Sequence, residues 1–324
     1  MIASMQNTRR GFLQSAALAA GLSGTAAAPA PGQVHPTGAP EAESQAGGPH
    51  KPASEVQVPK MNFFGFQISR LVAGCNQFYG FIHFNNILGT IMKEYYTQER
   101  VCDVLHQCNR FGINAHNWVD VARARQDLER FESEGGKMHL IVQGIGDPVD
   151  VCKTLKPMAI YHWGEATDKA FHNGEMDTVK EWCKKTRDLG VKVGVGSHIP
   201  EALAQVESEG WDVDFYAGCV YNRLRTNDEW KELLGGQLME MQGDVYVRSD
   251  PARMYKVMRQ TAKPCFAFKI MAAGRVDDKG AEQAFRTAFE SIKPIDGVFV
   301  GLFPRVKDEV RENAERVHRI LVRA

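Results

Sequence analysis

Eight times between Ser69 and the end of the chain, a short apolar run alternates with a segment that has the spacing of an amphipathic helix. Strand-like runs fall at Leu71–Cys75, Ile113–His116, His139–Gln143, Met158–His162, Val191–Val195, Val213–Cys219, Cys265–Ile270 and Gly297–Val300. Helical patterns fall at Gln98–Arg110, Val119–Ser133, Val149–Leu155, Met176–Asp188, Pro200–Glu209, Pro251–Gln260, Glu282–Ser291 and Val306–Leu321. Strands that are apolar throughout need cover on both faces, and a parallel sheet obtains it from the helices of its own crossovers. Eight such units predict an α/β chain closed into a (β/α)8 TIM barrel. An open doubly wound sheet is the alternative. The turn after the first strand, Ala73-Gly74-Cys75-Asn76-Gln77, is not the GxGxxG with which such a sheet approaches a dinucleotide. Several helix ends carry their own signals. Thr97 stands as an N-cap, and Gly112 and Gly190 follow helices where a left-handed residue belongs. Pro200 and Pro251 open helices where a missing N–H is harmless.

Ahead of this alternation the chain changes character. Thr8-Arg9-Arg10-Gly11-Phe12-Leu13-Gln14 leads into an uncharged run from Phe12 to Ala28, the pattern of a twin-arginine export signal over residues 1–30. The run is rich in Ala, Gly and Ser and too weakly apolar for a permanent membrane span. Residues 29–60 hold seven of the fourteen prolines and no apolar periodicity, so 31–60 is expected to be a linker and 61–324 a single barrel domain. The twin-arginine translocase is the expected partner of the N-terminus, and the periplasm or the cell exterior the expected location. That route carries folded proteins and suits an enzyme that takes up a metal or cofactor before export. The seven cysteines are odd in number and contain no CxxC, and several lie inside apolar patterns. They read as buried thiols, not as a disulfide framework or a Cys-based metal cluster. After residue 60 the chain has 35 basic and 36 acidic side chains with no basic stripe, which argues against a nucleic-acid partner.

On a barrel, residues that end strands or open the following loops converge on one face whatever their separation in sequence. In order they are Asn76/Gln77, His116/Asn117/Trp118, Gln143 with Asp147, His162/Trp163 with Glu165, Ser197/His198, Tyr221/Asn222, Lys269 with Arg275, and Arg305. Such a rim suits a small polar molecule. Insertions at Phe78–Tyr96 and Asn222–Val247 follow strand ends and are expected to rise over the same face as lid or pocket wall. His116, His162 and His198 end the second, fourth and fifth strands. One reading makes these three imidazoles, with Glu165 or Asp147, ligands of a divalent metal. Another makes His116, His162, His198 and Asp147 a metal-free acid/base set. A non-catalytic polar pocket and purely structural histidines complete the alternatives. Strand alternation limits all of them, because neighbours such as His116 and Asn117 cannot both face inward along one strand. His172 reads as solvated, and His83 as a cover over the site.

Ser69-Arg70-Leu71-Val72-Ala73-Gly74, the passage from Gln98 to Asn114, His162-Trp163, Gly194-Val195-Gly196-Ser197-His198, Tyr221-Asn222, and Gly301 with Arg305 and Glu312-Asn313 share an order. Together they resemble segments of the aldo/keto reductase superfamily, across roughly Ile68 to Val322. The resemblance implies that barrel fold and an NAD(P) site. Ser197 and Asn222 would meet the nicotinamide amide, Arg305 and Asn313 the adenosine end, and His162 would be the active-site histidine. The chain departs from the family pattern where carbonyl reduction needs it most. Asn117 stands for the catalytic aspartate, Trp118 to Gln126 contains no tyrosine, and Gln143 stands for the lysine. A phenol donor assisted by a lysine is therefore missing from the expected places.

The expected function is that of an exported enzyme acting on a small polar, sugar-like molecule at a His-rich rim, as a metal-dependent isomerase, lyase or hydrolase. An NAD(P)-dependent oxidoreductase with a retained nucleotide is the second reading, and a non-catalytic solute-binding barrel the third.

Overall fold

The computed structural model describes residues 50–236 and 244–322. The expected export signal over 1–30, most of the expected 31–60 linker and the middle of the second insertion lie outside the described residues. The strands are β1 (Lys60–Phe63), β2 (Phe66–Ser69), β3 (Leu71–Gly74), β4 (Ala115–Val119), β5 (His139–Gly144), β6 (Ala159–His162), β7 (Lys192–Ser197), β8 (Phe215–Cys219), β9 (Cys265–Phe268) and β10 (Gly297–Val300). The helices are α1 (Asn86–Tyr95), α2 (Gln98–Arg110), α3 (Ala122–Ser133), α4 (Pro148–Leu155), α5 (Gly164–Asn173), α6 (Met176–Arg187), α7 (Pro200–Ser208), α8 (Asn227–Leu233), α9 (Asp250–Gln260), α10 (Asp278–Ser291) and α11 (Glu309–Val322).

Strands β3 to β10 close in sequence order, every neighbour parallel and β10 pairing back onto β3. The chain is a TIM-type barrel, as the eightfold alternation predicts. The expected caps form too: Thr97 accepts the Arg100 N–H, and Gly112 and Gly190 take φ of 75° and 79°.

Alternation along each strand divides the core into two. Val72, Ala115, Ile141, Ala159, Phe215, Ala217, Phe266 and Phe299 fill the barrel interior. Leu71, Trp118, Val142, Ile160, Val195, Tyr216 and Val298 face the helices. The interior is filled by large rings, and β7 makes room for them with glycine. A Cβ on Gly194 would stand 2.6 Å from the Phe215 ring, and one on Gly196 would stand 2.8 Å from Tyr161.

Three features were not anticipated. The first is the antiparallel β1–β2 hairpin, whose tight turn places Phe64 and Gly65 at φ of 50° and 93°. It drives Met61, Phe63 and Ile68 into the N-terminal end of the barrel, with Phe63 5.4 Å from both Phe215 and Phe266. Asn114, just before β4, fastens it by accepting the Ser69 N–H and donating to the Gln67 carbonyl. Secondly, the packed chain begins before Met61: Val56 and Val58 are buried, and Val58 donates to the Phe111 carbonyl. Thirdly, α5 occupies the stretch after Glu165 where a loop was expected, and α1 and α8 form within the two insertions. All seven cysteines are buried thiols. No described helix is long and apolar enough to cross a membrane.

Candidate active site

A cavity of about 620 Å³ opens at the C-terminal ends of the barrel strands. Its floor is made by the last inward-facing side chains of β4, β5 and β6. Asn117 Nδ2 donates to the Tyr161 hydroxyl at 3.0 Å, and Gln143 Nε2 reaches Asn117 Oδ1 at 3.2 Å and Asn76 Oδ1 at 3.3 Å. Burial raises the Tyr161 pKa and keeps the phenol protonated. Both insertions contribute walls: Phe81 to Phe84, Leu88 and Met92 from the first, Arg223 from the second.

His198, which follows β7, is buried and lines this cavity. Its Nδ1 lies 2.6 Å from Oδ2 of Asp168, a fully buried residue of α5. Asp168 is fixed by two further donors, the Ser197 hydroxyl at 2.5 Å and the His198 N–H at 3.0 Å. With Nδ1–H donating to a carboxylate, the imidazole holds its Nε2 lone pair free. Burial lowers the His198 pKa, with Asp168 opposing, so the ring rests neutral and able to accept a proton.

Lys269, immediately after β9, also lines the cavity, two strands along from His198. It takes a left-handed φ of 59°, and Ala272 and Ala273 in the same loop take 49° and 52°. Such backbone persists where the surrounding structure holds it, and it clusters at functional sites. Among the described residues the ammonium has neither a hydrogen bond nor a carboxylate at ion-pair distance. Burial brings its pKa down from 10.5 to about 8, aided by Arg223 and Arg275 and opposed by Asp244. Around it, Arg223 pairs with Glu165 and with Asp244 Oδ1, the latter at 3.0 Å. His83 Nδ1 lies 3.0 Å from Asp244 Oδ2. Burial alone would raise the Asp244 carboxyl, but His83, Arg223 and Lys269 hold it at about 2. Arg223 Nε and the Tyr246 hydroxyl are buried without a partner among the described residues.

Of the rim residues the sequence singled out, Asn76, Gln77, Asn117, Gln143, Trp163, Glu165, His198 and Lys269 line this cavity, and His83 covers it as expected. The three-histidine metal set and the catalytic roles of His116 and His162 are corrected by strand parity. His116 points outward between β4 and the helix layer, its Nδ1 on the Ala73 carbonyl and its ring 5.9 Å from Phe78. His162 also points outward, bonded to Thr167 Oγ1 at 2.8 Å and packed edge-on against Trp182. Burial lowers both imidazoles to about 4. Among the described residues no three His, Cys, Asp or Glu side chains gather to hold a metal. Asp147 is corrected as well: it is an exposed N-cap of α4, paired with Lys185. Ser197 is spent on Asp168, while buried Asn222 accepts from Leu224 N–H. Arg305 is exposed and away from the cavity, whereas Asn313 is buried and lines its outer reach beside Arg316. His172 bonds the Leu224 carbonyl.

Sequence reasoning gave no role to Asp168 or Tyr161. Tyr161 was readable from parity, two residues beyond the inward Ala159. Asp168 was hidden because no helical pattern is legible between the runs Met158–His162 and Met176–Asp188, where α5 forms.

No family model and no curated protein matches the chain. Among solved structures it is similar to a truncated 3-deoxy-D-arabino-heptulosonate 7-phosphate synthase from Thermotoga maritima, at 10% identity and a TM-score of 0.46, covering 82% of this chain and 91% of that one. A phospho-2-dehydro-3-deoxyheptonate aldolase (DAHP synthase) from the same organism is 10% identical with a TM-score of 0.47, over 82% of this chain and 73% of that one. A sugar phosphate isomerase/epimerase from Parabacteroides distasonis ATCC 8503 is 11% identical with a TM-score of 0.31, over 78% and 98%. Likeness at this level carries no chemistry from those proteins to this one. The strand order and the cavity stand on their own: the chain is a closed eight-stranded parallel barrel with surrounding helices and, at the C-terminal ends of its strands, a cavity with a polar floor and largely apolar walls.

Proposed function

We propose that this chain is an enzyme that moves a proton on a small polar, hydroxy- or oxo-bearing molecule held at the barrel mouth. The observation that carries the reading is the His198–Asp168 pair: a buried carboxylate fixes the tautomer, and the ring that lines the cavity is left neutral with one free lone pair. Tyr161, Asn117 and Gln143 offer donors and acceptors on the floor for the substrate's oxygens. Enolisation, isomerisation and elimination share this first step, removal of a proton from carbon beside a carbonyl. The reading calls on no metal, and it takes over the place of the three-histidine centre. Export by the twin-arginine route, and work in the periplasm or outside the cell, belong to the same proposal and rest on Arg9-Arg10 and the run that follows.

The test is solvent deuterium incorporation, followed by NMR, over a panel of small hydroxy- and oxo-compounds. We expect exchange at the carbon beside the carbonyl, and a fall of about 100- to 10,000-fold in both His198→Gln and Asp168→Asn. Folded variants that exchange as fast as the wild type would remove the pair from the chemistry.

One observation favours the second reading, an aldo/keto reductase-like oxidoreductase with retained NAD(P). The cavity runs on past Val300 to Phe303 and reaches Lys307, Asn313 and Arg316. The residues fit the nucleotide only at that outer end. Ser197 and Asn222 do not line the cavity, Arg305 lies outside it, and Lys307 and Arg316 already pair with Glu312. Native mass spectrometry of the exported protein separates the two readings, because a nucleotide-sized adduct would put this one first.

A further inference from the structure

We propose that Lys269 is the covalent anchor of this site and that its amine condenses with the carbonyl of a small 2-oxo acid to form an imine. The proposal rests on the proton-transfer reading above and names its substrate class. Three observations support it. Lys269 lines the cavity, and among the described residues its nitrogen is claimed by no hydrogen bond or ion pair. A lysine whose only task was structural would be expected to sit against a carboxylate; Glu165 and Asp244 Oδ1 are instead taken by Arg223, and Asp244 Oδ2 lies 3.0 Å from His83 Nδ1, not at ion-pair distance from Lys269. The backbone that presents Lys269 is held in the left-handed region, with two more left-handed alanines following within four residues. Near pH 8 a substantial share of this amine is unprotonated, the state a nucleophile requires.

A free donor selects the partner. With the amine neutral, Arg223 and Arg275 balance Glu165 and Asp244, and Arg223 Nε has no acceptor among the described residues. A carbonyl compound that carries a carboxylate offers that free donor an acceptor.

The step balances without any other reactant. The amine lone pair forms the C–N bond and the carbonyl π pair moves to oxygen. That oxygen takes up a proton as nitrogen releases one, giving a carbinolamine. A second protonation lets the hydroxyl leave as water when the nitrogen lone pair forms the C=N bond. Amine and ketone become imine and water, with no change in oxidation state. His83 and His198, both within electrostatic reach of Lys269, are the groups available to pass the protons. Once protonated, the imine draws electrons from the adjacent carbon and acidifies the proton that His198 Nε2 would remove.

The test is reductive trapping on the full chain. Wild-type protein is treated with pyruvate and sodium borohydride near pH 8, digested and mapped by mass spectrometry. We expect the reduced adduct on the peptide that contains Lys269, none there in Lys269→Arg, and at least tenfold less when uncharged dihydroxyacetone replaces pyruvate. Labelling scattered over exposed lysines with none on Lys269 would overturn the imine. Equal labelling by dihydroxyacetone would overturn the choice of an anionic substrate. Deuterium exchange without trapping at Lys269 removes the imine and leaves the proton-transfer reading; trapping without exchange does the reverse.

Discussion

Replacing Lys269 by methionine should stabilise the protein, in a way that pH switches off. Methionine keeps an unbranched, flexible chain in the same space and removes the charge. The ammonium titrates at about 8 instead of 10.5, a gap that corresponds at most to about 3 kcal/mol. Below pH 8 the folded and unfolded chains both hold the proton, and the folded state bears the full cost of burying it. Between about 8 and 10.5 only the unfolded chain holds it, so the wild type gains stability on the variant as pH rises. The groups facing the ammonium are Arg223 and Arg275, which repel it, Asp244, which favours it, the buried neutral thiol of Cys219, and His83 and His198. Loss of attraction to Asp244 offsets part of the gain, so we expect Lys269→Met to be about 1–3 kcal/mol more stable at pH 7. In a domain of this size that moves Tm upward by several degrees, at about 2–4 °C for each kcal/mol. Urea unfolding at pH 7, 9 and 10, followed by tryptophan fluorescence, reads the difference and its decline. A variant that is less stable by the same amount at every pH would refute the reasoning, because it would mean that water already solvates the ammonium.

Two further outcomes test the corrections. Phe63→Ala should cost about 3–5 kcal/mol in urea unfolding, since the ring fills the barrel interior between Phe215 and Phe266; a loss under 1 kcal/mol would detach the hairpin from that core. NMR titration should find the His116 and His162 imidazoles neutral down to about pH 4, and a midpoint near 6.5 for either would return it to a solvated rim.

The barrel was legible because its signal is repeated eight times, and a mistaken end in one strand leaves the other seven intact. The hairpin was not, because its strands have four residues each: β1 alternates over too few positions to stand out, and exposed Phe64 in the turn and Phe66 at the start of β2 blur the pattern. The site was half legible. Strand ends name the residues that approach the mouth, and His198, Glu165, Lys269, Asn117 and Gln143 were all found in that way. Position along a strand does not by itself tell inside from outside, and a one-residue difference in where a strand is taken to begin reverses every side chain. His116 and Asn117 show it. The imidazole attracted attention as a ligand, yet the amide beside it faces the cavity. Asp168 lay beyond reach for another reason, since its partnership with His198 exists only once α5 has folded against β7.

The β1–β2 hairpin also fixes the traffic. With Met61, Phe63 and Ile68 sealing the far end, the barrel is a blind alley, and every molecule that enters by the mouth must back out through it. On the proposed chemistry, water shed at the floor would leave along the route the substrate used. Under that proposal product departure and the next arrival would compete for the mouth, whose walls among the described residues include Phe81, Phe84 and Arg223. In steady state the product should act as a competitive inhibitor, and a slowly leaving one should set the turnover.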